Sequence, residues 1–167
     1  FEGRKPKDSA VLAEISGTVA VSDEGGYRLL SVRDGKAEKR EYKISYGLRL
    51  KVYSGKKVRK GDQLTYGVVN PHDVLNTKGV YATQNYLSDE VQRVYRSQGV
   101  QINTKHIEVI VRQMTRKINV ITMGDSEFLP NELIDIHTFE KHNNSLFEAE
   151  KKPSMGERVL LGITRAS

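Results

Sequence analysis

The sequence predicts an α+β fold: a small antiparallel β module up to about Asn70, then a mainly helical part with one or two short strands. Three observations carry that expectation. Residues alternate with a period of two between Ala10 and Val69, the period lengthens after Asn70-Pro71, and the helical-period stretches that follow end on glycines. With 167 residues, 37% of them hydrophobic, the chain has material for one large or two small domains. The change of period divides it into a β-rich part, 1–70, and a helical part, 71–167.

In the β-rich part, "AEISGTVAV" alternates small and β-branched residues around Gly17, and "YRLLSV" follows the pair Gly25-Gly26. In "GLRLKVYSGKKVRKGDQLTYG", Leu48, Leu50 and Val52 point one way while Arg49, Lys51 and Tyr53 point the other. Ser54-Gly55 and Lys60-Gly61-Asp62 punctuate it as turns.

"PHDVLNTKG" opens on a proline suited to a first helical turn and closes on Gly79, which predicts a short helix. In "VYATQNYLSDEVQRVYRSQG" a helix places Val80, Leu87, Val91, Val94 and Tyr95 on one stripe and stops at Gly99. Asn103 or Thr104 is suited to cap the next helix, "HIEVIVRQMT". There Ile107, Ile110, Val111 and Met114 share a face, Val109 sits almost opposite, and His106 stands between, so neighbours are expected on two sides. "KINVITMG" predicts a strand, Ile136 to Ala149 a helix, and Pro153 to Gly156 a turn before the apolar stretch Val159 to Ile163.

Charge gives the first indication of a partner. Lys and Arg total 27 against 21 acidic residues, a net charge of +6, and the excess lies entirely before Pro71, with 15 basic and 9 acidic residues. Such a surface suits a polyanion or is simply a solvated lysine-rich face. The cluster Lys56, Lys57, Arg59, Lys60 is suited to the phosphates of a duplex, and equally to a solvated hairpin tip. No apolar run is long enough to cross a bilayer. The absence of cysteine removes disulfides, Cys-based zinc sites and thiol nucleophiles, and fits a cytosolic protein. The first residue, Phe1, suggests a piece of a longer polypeptide.

Nothing in the chain demands an active site. His137 and His142 are badly spaced to share a metal on one helix face, and His72 and His106 are remote in sequence. Asp73, Asp89, Glu90 and Asp125 form no evident carboxylate cluster, and no "GxSxG" elbow gathers a serine triad. "DEGGY" and "YSGKKVRKGD" lack the glycine-lysine-serine/threonine pattern of a phosphate loop and suit hairpin turns. The β segment, with "AEISGTV" and the Gly61-Asp62 turn, resembles the barrel-sandwich hybrid of biotinyl and lipoyl carriers, but no lysine follows Asp62 until Lys78. The scaffold resembles theirs without the modified lysine.

The stretch "GVYATQNYLSDEVQRVYRSQGVQINTKHIEVIVRQM" closely resembles the largest subunit of multisubunit RNA polymerases, the β′ subunit of bacteria. Its flanks agree: "LRLKVYSGKKVRKGDQLTYGVVNPHDVL" is similar to the jaw and the start of the cleft-forming segment. "FEGRKPKD" resembles the exit from the trigger loop's second helix and "LLGITRAS" the approach to the clamp-base switch. The resemblance implies a non-catalytic part of a DNA-directed RNA polymerase, a nucleotidyltransferase. The family's metal-binding "NADFDGD" motif is absent from this chain, so magnesium and zinc are expected elsewhere in the parent subunit.

Implied partners are downstream duplex DNA, the β, α, ω and σ subunits, and regulators or phage inhibitors, in the cytoplasm at the bacterial nucleoid. By position Arg4, Lys5 and Lys7 match the basic jaw entry and Arg165 a basic residue near the switch, whereas Lys56, Lys57, Arg59 and Lys60 enter by local charge alone. The alternative is an assembly module that docks regulators or other polymerase subunits.

Overall fold

The computed structural model describes residues 9–166. The fold is α+β, in two compact units that divide between Gly79 and Val80.

The first unit is a curled antiparallel sheet of order β3-β2-β1-β4, built from β1 (Gly17–Asp23), β2 (Arg28–Arg33), β3 (Lys39–Ile44) and β4 (Lys57–Val58). Alternation sends Val19, Leu30, Val32 and Ile44 inward, where they meet Ala13, Val52, Val58 and Leu64. Bridges Leu12 to Gln63 and Leu50 to Thr65 continue the curl past the named strands. Gly17 is required by close approach, because a Cβ there would lie 2.2 Å from the Arg33 carbonyl oxygen.

β3 is the strand that hydrophobic patterning misses. "KREYKI" offers only Tyr42 and Ile44 inward, and its other side chains are charged and exposed, as suits the outer edge of a sheet. The loop before it is organised by Asp34, whose carboxylate accepts from the amides of Lys36, Ala37 and Glu38.

At the β1–β2 turn the Tyr46 hydroxyl donates to the Asp23 carboxylate. That bond, then the Gly25 amide, holds the Asp23 carboxyl below the usual carboxylate range. Tyr46→Phe is therefore expected to raise the Asp23 pKa, as read by NMR titration. The sign follows from linkage: with a depressed folded-state value, the contact stabilises the fold above the unfolded pKa and loses that effect as pH falls through the folded one.

Helix α1 (Pro71–Lys78) follows, capped by Asn70, whose side chain accepts from the His72 amide, and closed at Gly79 with φ 89°. The change of period suggests that α1 goes with the helical part, yet it falls in the β-rich unit. The Lys78 side chain lies over Gly61, its Cγ 2.5 Å from where a Cβ would stand.

The second unit contains α2 (Val80–Ser97), α3 (Thr104–Met114), β5 (Lys117–Thr122), β6 (Leu133–Asp135), α4 (Ile136–Glu148), β7 (Met155–Arg158) and α5 (Ile163–Ala166). Its sheet has order β6-β5-β7, and α4 lays Phe139 against Ile118 and Val120. α2 ends as expected at Gly99, where the Val100 amide reaches back to the Tyr95 carbonyl and the Gly99 amide to that of Arg96.

The buried face of α2 differs from the expected stripe. Thr83, Leu87, Ser88 and Gln92 are buried, whereas Val94 and Tyr95 in the last turn are exposed. Gln92 is inside because its amide donates to the Ile102 carbonyl and to the Thr104 hydroxyl, binding the α2–α3 connection. α3 is capped by Asn103 and buries Ile107, Val111 and Met114. Val109 and Ile110 are exposed, so the two-sided packing expected of this helix is not made within the described residues. His106 is also exposed, and the capping side chain belongs to Asn103.

The segment Pro153 to Gly156, expected as a turn, instead enters β7. Gly156 lets that strand approach β5, since a Cβ would stand 2.5 Å from Ile118 Cγ2 and 2.8 Å from the Asn119 carbonyl oxygen. Asn143 and Ser154 tie α4 to this strand's entrance: the Asn143 amide group donates to the Ser154 carbonyl, while its oxygen accepts from the Ser154 amide and hydroxyl.

Thr115, fully buried, joins α2, α3 and β7. Its hydroxyl accepts from the Gln84 amide at 2.9 Å, and its carbonyl accepts from Arg158 Nε at 2.9 Å and Nη2 at 2.6 Å. Asp135 has two tasks, accepting from the His137 amide as the cap of α4 and pairing with Arg116 at 2.6 Å.

Candidate nucleic-acid interface

The basic cluster of the β unit is not one loop. Lys56 closes the turn from Tyr53 by donating its amide to the Tyr53 carbonyl at 3.1 Å, with Gly55 at φ 94°. It is half-buried, and its ammonium stands 5.9 Å from the Tyr53 ring centroid. Lys57 lies in β4 opposite Thr18 of β1 and points outward, while Val58 fills the core. Arg59 opens a second turn, its amide donating to Asp62 Oδ2 at 2.9 Å and its carbonyl accepting from the Asp62 amide. Lys60 donates its amide to the Ser16 hydroxyl.

Lys57, Arg59 and Lys60 are exposed, and none forms an ion pair among the described residues. Their surroundings differ. Lys60 borders an open depression also lined by Glu14, Asp34, Lys36 and Glu38, a setting of mixed charge. Lys57 and Arg59, at alternate positions of an extended segment, share an outward side and suit a polyanion better.

Arg165 lies exposed in α5, its amide donating to the Gly162 carbonyl at 3.0 Å. Arg4, Lys5 and Lys7 fall outside the described residues.

A row that charge counting passes over lies on the segment before the cluster. Arg49, Lys51 and Tyr53 are exposed at alternate positions while Val52 is buried and Leu48 and Leu50 pack against the core, as the alternation predicts. Tyr66 is brought beside them by the Leu50–Thr65 bridge and its own amide's bond to the Arg49 carbonyl. Arg49 stands 5.1 Å and Lys51 5.5 Å from its ring centroid. The signal was present in the sequence as alternation; the partner ring, 15 residues from Lys51 and 17 from Arg49, was not.

No group of three or more His, Asp or Glu among the described residues is placed to hold a metal. Glu90 pairs with Arg93, Asp125 accepts from the Lys152 amide, and His142 rests against the Phe128 ring.

The family model described as RNA polymerase Rpb1, domain 5 matches residues 14–167. The chain belongs to that family. Its relatives named DNA-directed RNA polymerase subunit beta′ include that of Acetivibrio thermocellus, 52% identical over 167 residues, covering all of this chain and 14% of the relative. That of Caldicellulosiruptor saccharolyticus is 47% identical with the same coverage, and that of Desulforudis audaxviator 50%. The Rpb1 domain 5 chain thus spans about 14% of the length of the curated relatives it matches, and its resemblance to bacterial β′ holds from end to end. No helix of this Rpb1 domain 5 chain, among the described residues, is long and apolar enough to cross a membrane.

Proposed function

We propose that the chain is the jaw and adjoining cleft portion of a bacterial DNA-directed RNA polymerase β′ subunit, and that it contacts downstream duplex DNA without sequence preference. The observation that carries this reading is the match along the whole chain at about half identity to subunits of that name. Lys57 and Arg59 add outward, unneutralised charge. Contacts of this kind reach phosphates and position the duplex, leaving base sequence unread. Catalysis, with its magnesium, and the zinc belong to other parts of the subunit; β, α, ω and σ are its assembly partners, and regulators or phage inhibitors further ones, at the nucleoid in the cytoplasm.

In the assembled polymerase, Lys57→Glu with Arg59→Glu is expected to shorten the lifetime of promoter complexes, equally on promoters that differ downstream and more at low salt. An unchanged lifetime removes these residues from the DNA path.

A second reading, an assembly or regulator-docking module, is favoured by the apolar side chains that the helical unit leaves exposed: Tyr81 at 79%, Val109 at 57%, Val94 at 52% and Ile110 at 48%. A Val109→Asp, Ile110→Asp polymerase in the same measurements separates the two. Lost subunit assembly with normal lifetimes for the charge variants supports this second reading.

A further inference from the structure

The cations of the β unit differ in the partner each has. In β3, Lys39 pairs with Glu41 at 2.7 Å and Arg40 with Glu14 at 3.4 Å, whereas Lys43 stands 5.2 Å from the Tyr27 ring centroid. Arg49, Lys51 and Lys56 form no ion pair among the described residues. Arg49 and Lys51 stand over the Tyr66 ring, Lys56 over the Tyr53 ring, and the Lys51 ammonium donates to Gln63 Oε1 at 3.1 Å. A ring or an amide orients a cation without cancelling its charge.

Both rings remain in solvent, Tyr53 at 67% and Tyr66 at 47% exposed. Meanwhile Leu48, Leu50 and Val52 anchor the same segment to the core. The strip is therefore rigid beneath, positively charged above, and largely spared the loss of side-chain freedom that long cations suffer on binding.

We propose that Arg49, Lys51 and Lys56, held by Tyr66 and Tyr53, form a contact strip for the phosphate backbone of duplex DNA, separate from Lys57 and Arg59. The proposal rests on the reading of the chain as a DNA-contacting polymerase segment and assigns it a second surface. Charge complementarity selects the occupant. Arg49 and Lys51 are two residues apart on an extended segment, about 6.8 Å, a step of the same order as that between neighbouring phosphates. In a duplex the bases are paired and stacked on one another, so what it presents to such a strip is its phosphate backbone.

The test uses the assembled polymerase and a short duplex without a promoter, with affinity measured across a range of salt concentrations. Arg49→Gln with Lys51→Gln is expected to lower the slope of log affinity against log salt by roughly 2, at about 0.9 for each phosphate no longer neutralised. Tyr66→Leu keeps both charges and removes the ring, so it is expected to weaken binding at every salt concentration with the slope retained; Tyr66→Phe is expected to behave as the parent. If the Arg49/Lys51 variant assembles normally and keeps the parental slope while Lys57→Gln with Arg59→Gln lowers it, the strip is wrong and the DNA reading stands. If neither pair moves the slope, the DNA reading itself fails. A loss confined to single-stranded RNA or to an acidic peptide also overturns the assignment, as does a Tyr66→Leu enzyme with parental affinity.

Discussion

Leu30→Ala is expected to destabilise the β unit by about 3 kcal/mol, within the range found for emptying a leucine site in a packed core. Leu30 is fully buried in β2, flanked by Val21 of β1 and Tyr42 of β3. With a hydrogen-bonded strand on each side, the backbone around the vacated space has little freedom to collapse into it, so the cavity persists. Denaturant unfolding of the 167-residue chain, with hydrogen exchange followed at the amides of β1 to β3, measures the effect. A loss below about 1 kcal/mol would mean that the curled sheet closes over the gap.

The second large effect is expected at Arg158. Arg158→Met keeps most of the side chain's length and removes both donors from the Thr115 carbonyl, at an expected cost of about 2 kcal/mol, the value of hydrogen bonds from a charged group plus a buried acceptor left without them. Burial pushes the Arg158 guanidinium pKa down, and Glu140 opposes that shift. The side chain nonetheless stays charged, because arginine starts so far above neutral pH. Arg158→Lys is expected to fall between the two, since an ammonium offers a single point of charge where the guanidinium offers a fork. Chemical denaturation gives the stabilities, and hydrogen exchange at α3 and β5 gives the location. Equal stability of the Met and Arg chains would show that the carbonyl finds other donors.

The division into alternating and helical-period parts was legible because both signals are local. α1 to α4 and β5 stand close to where spacing and caps put them, with Asn103 at the head of α3 and Gly99 closing α2. What escaped was set by distant partners. β3 is nearly all polar because its outer side faces solvent, β6 is only three residues long, and β7 contains a glycine whose purpose is visible only beside Ile118 and Asn119. The α2 stripe failed at Gln92, a polar residue drawn inside by the Ile102 carbonyl ten residues on.

The candidate interface was legible to a smaller degree. A run of charges names residues without saying what surrounds each, so charge alone groups Lys60 with Lys57 although Lys60 borders a depression of mixed charge that also has Glu14 and Asp34 on its lining. The pairing of Arg49 and Lys51 with Tyr66 depends on a bridge between separate turns of chain, and composition carries no trace of it.

The charged outer edge at β3 has a consequence for synthesis. In a subunit as long as the curated relatives, of which this segment matches 14%, a β unit of this kind would form beside other strands still unfolded. An apolar outer strand would recruit them. Lys39, Arg40, Glu41 and Lys43 surround that edge with solvated charge, so an incoming strand would have to strip water from those groups before pairing. The charged side chains of β3 thereby limit the width to which the sheet can grow.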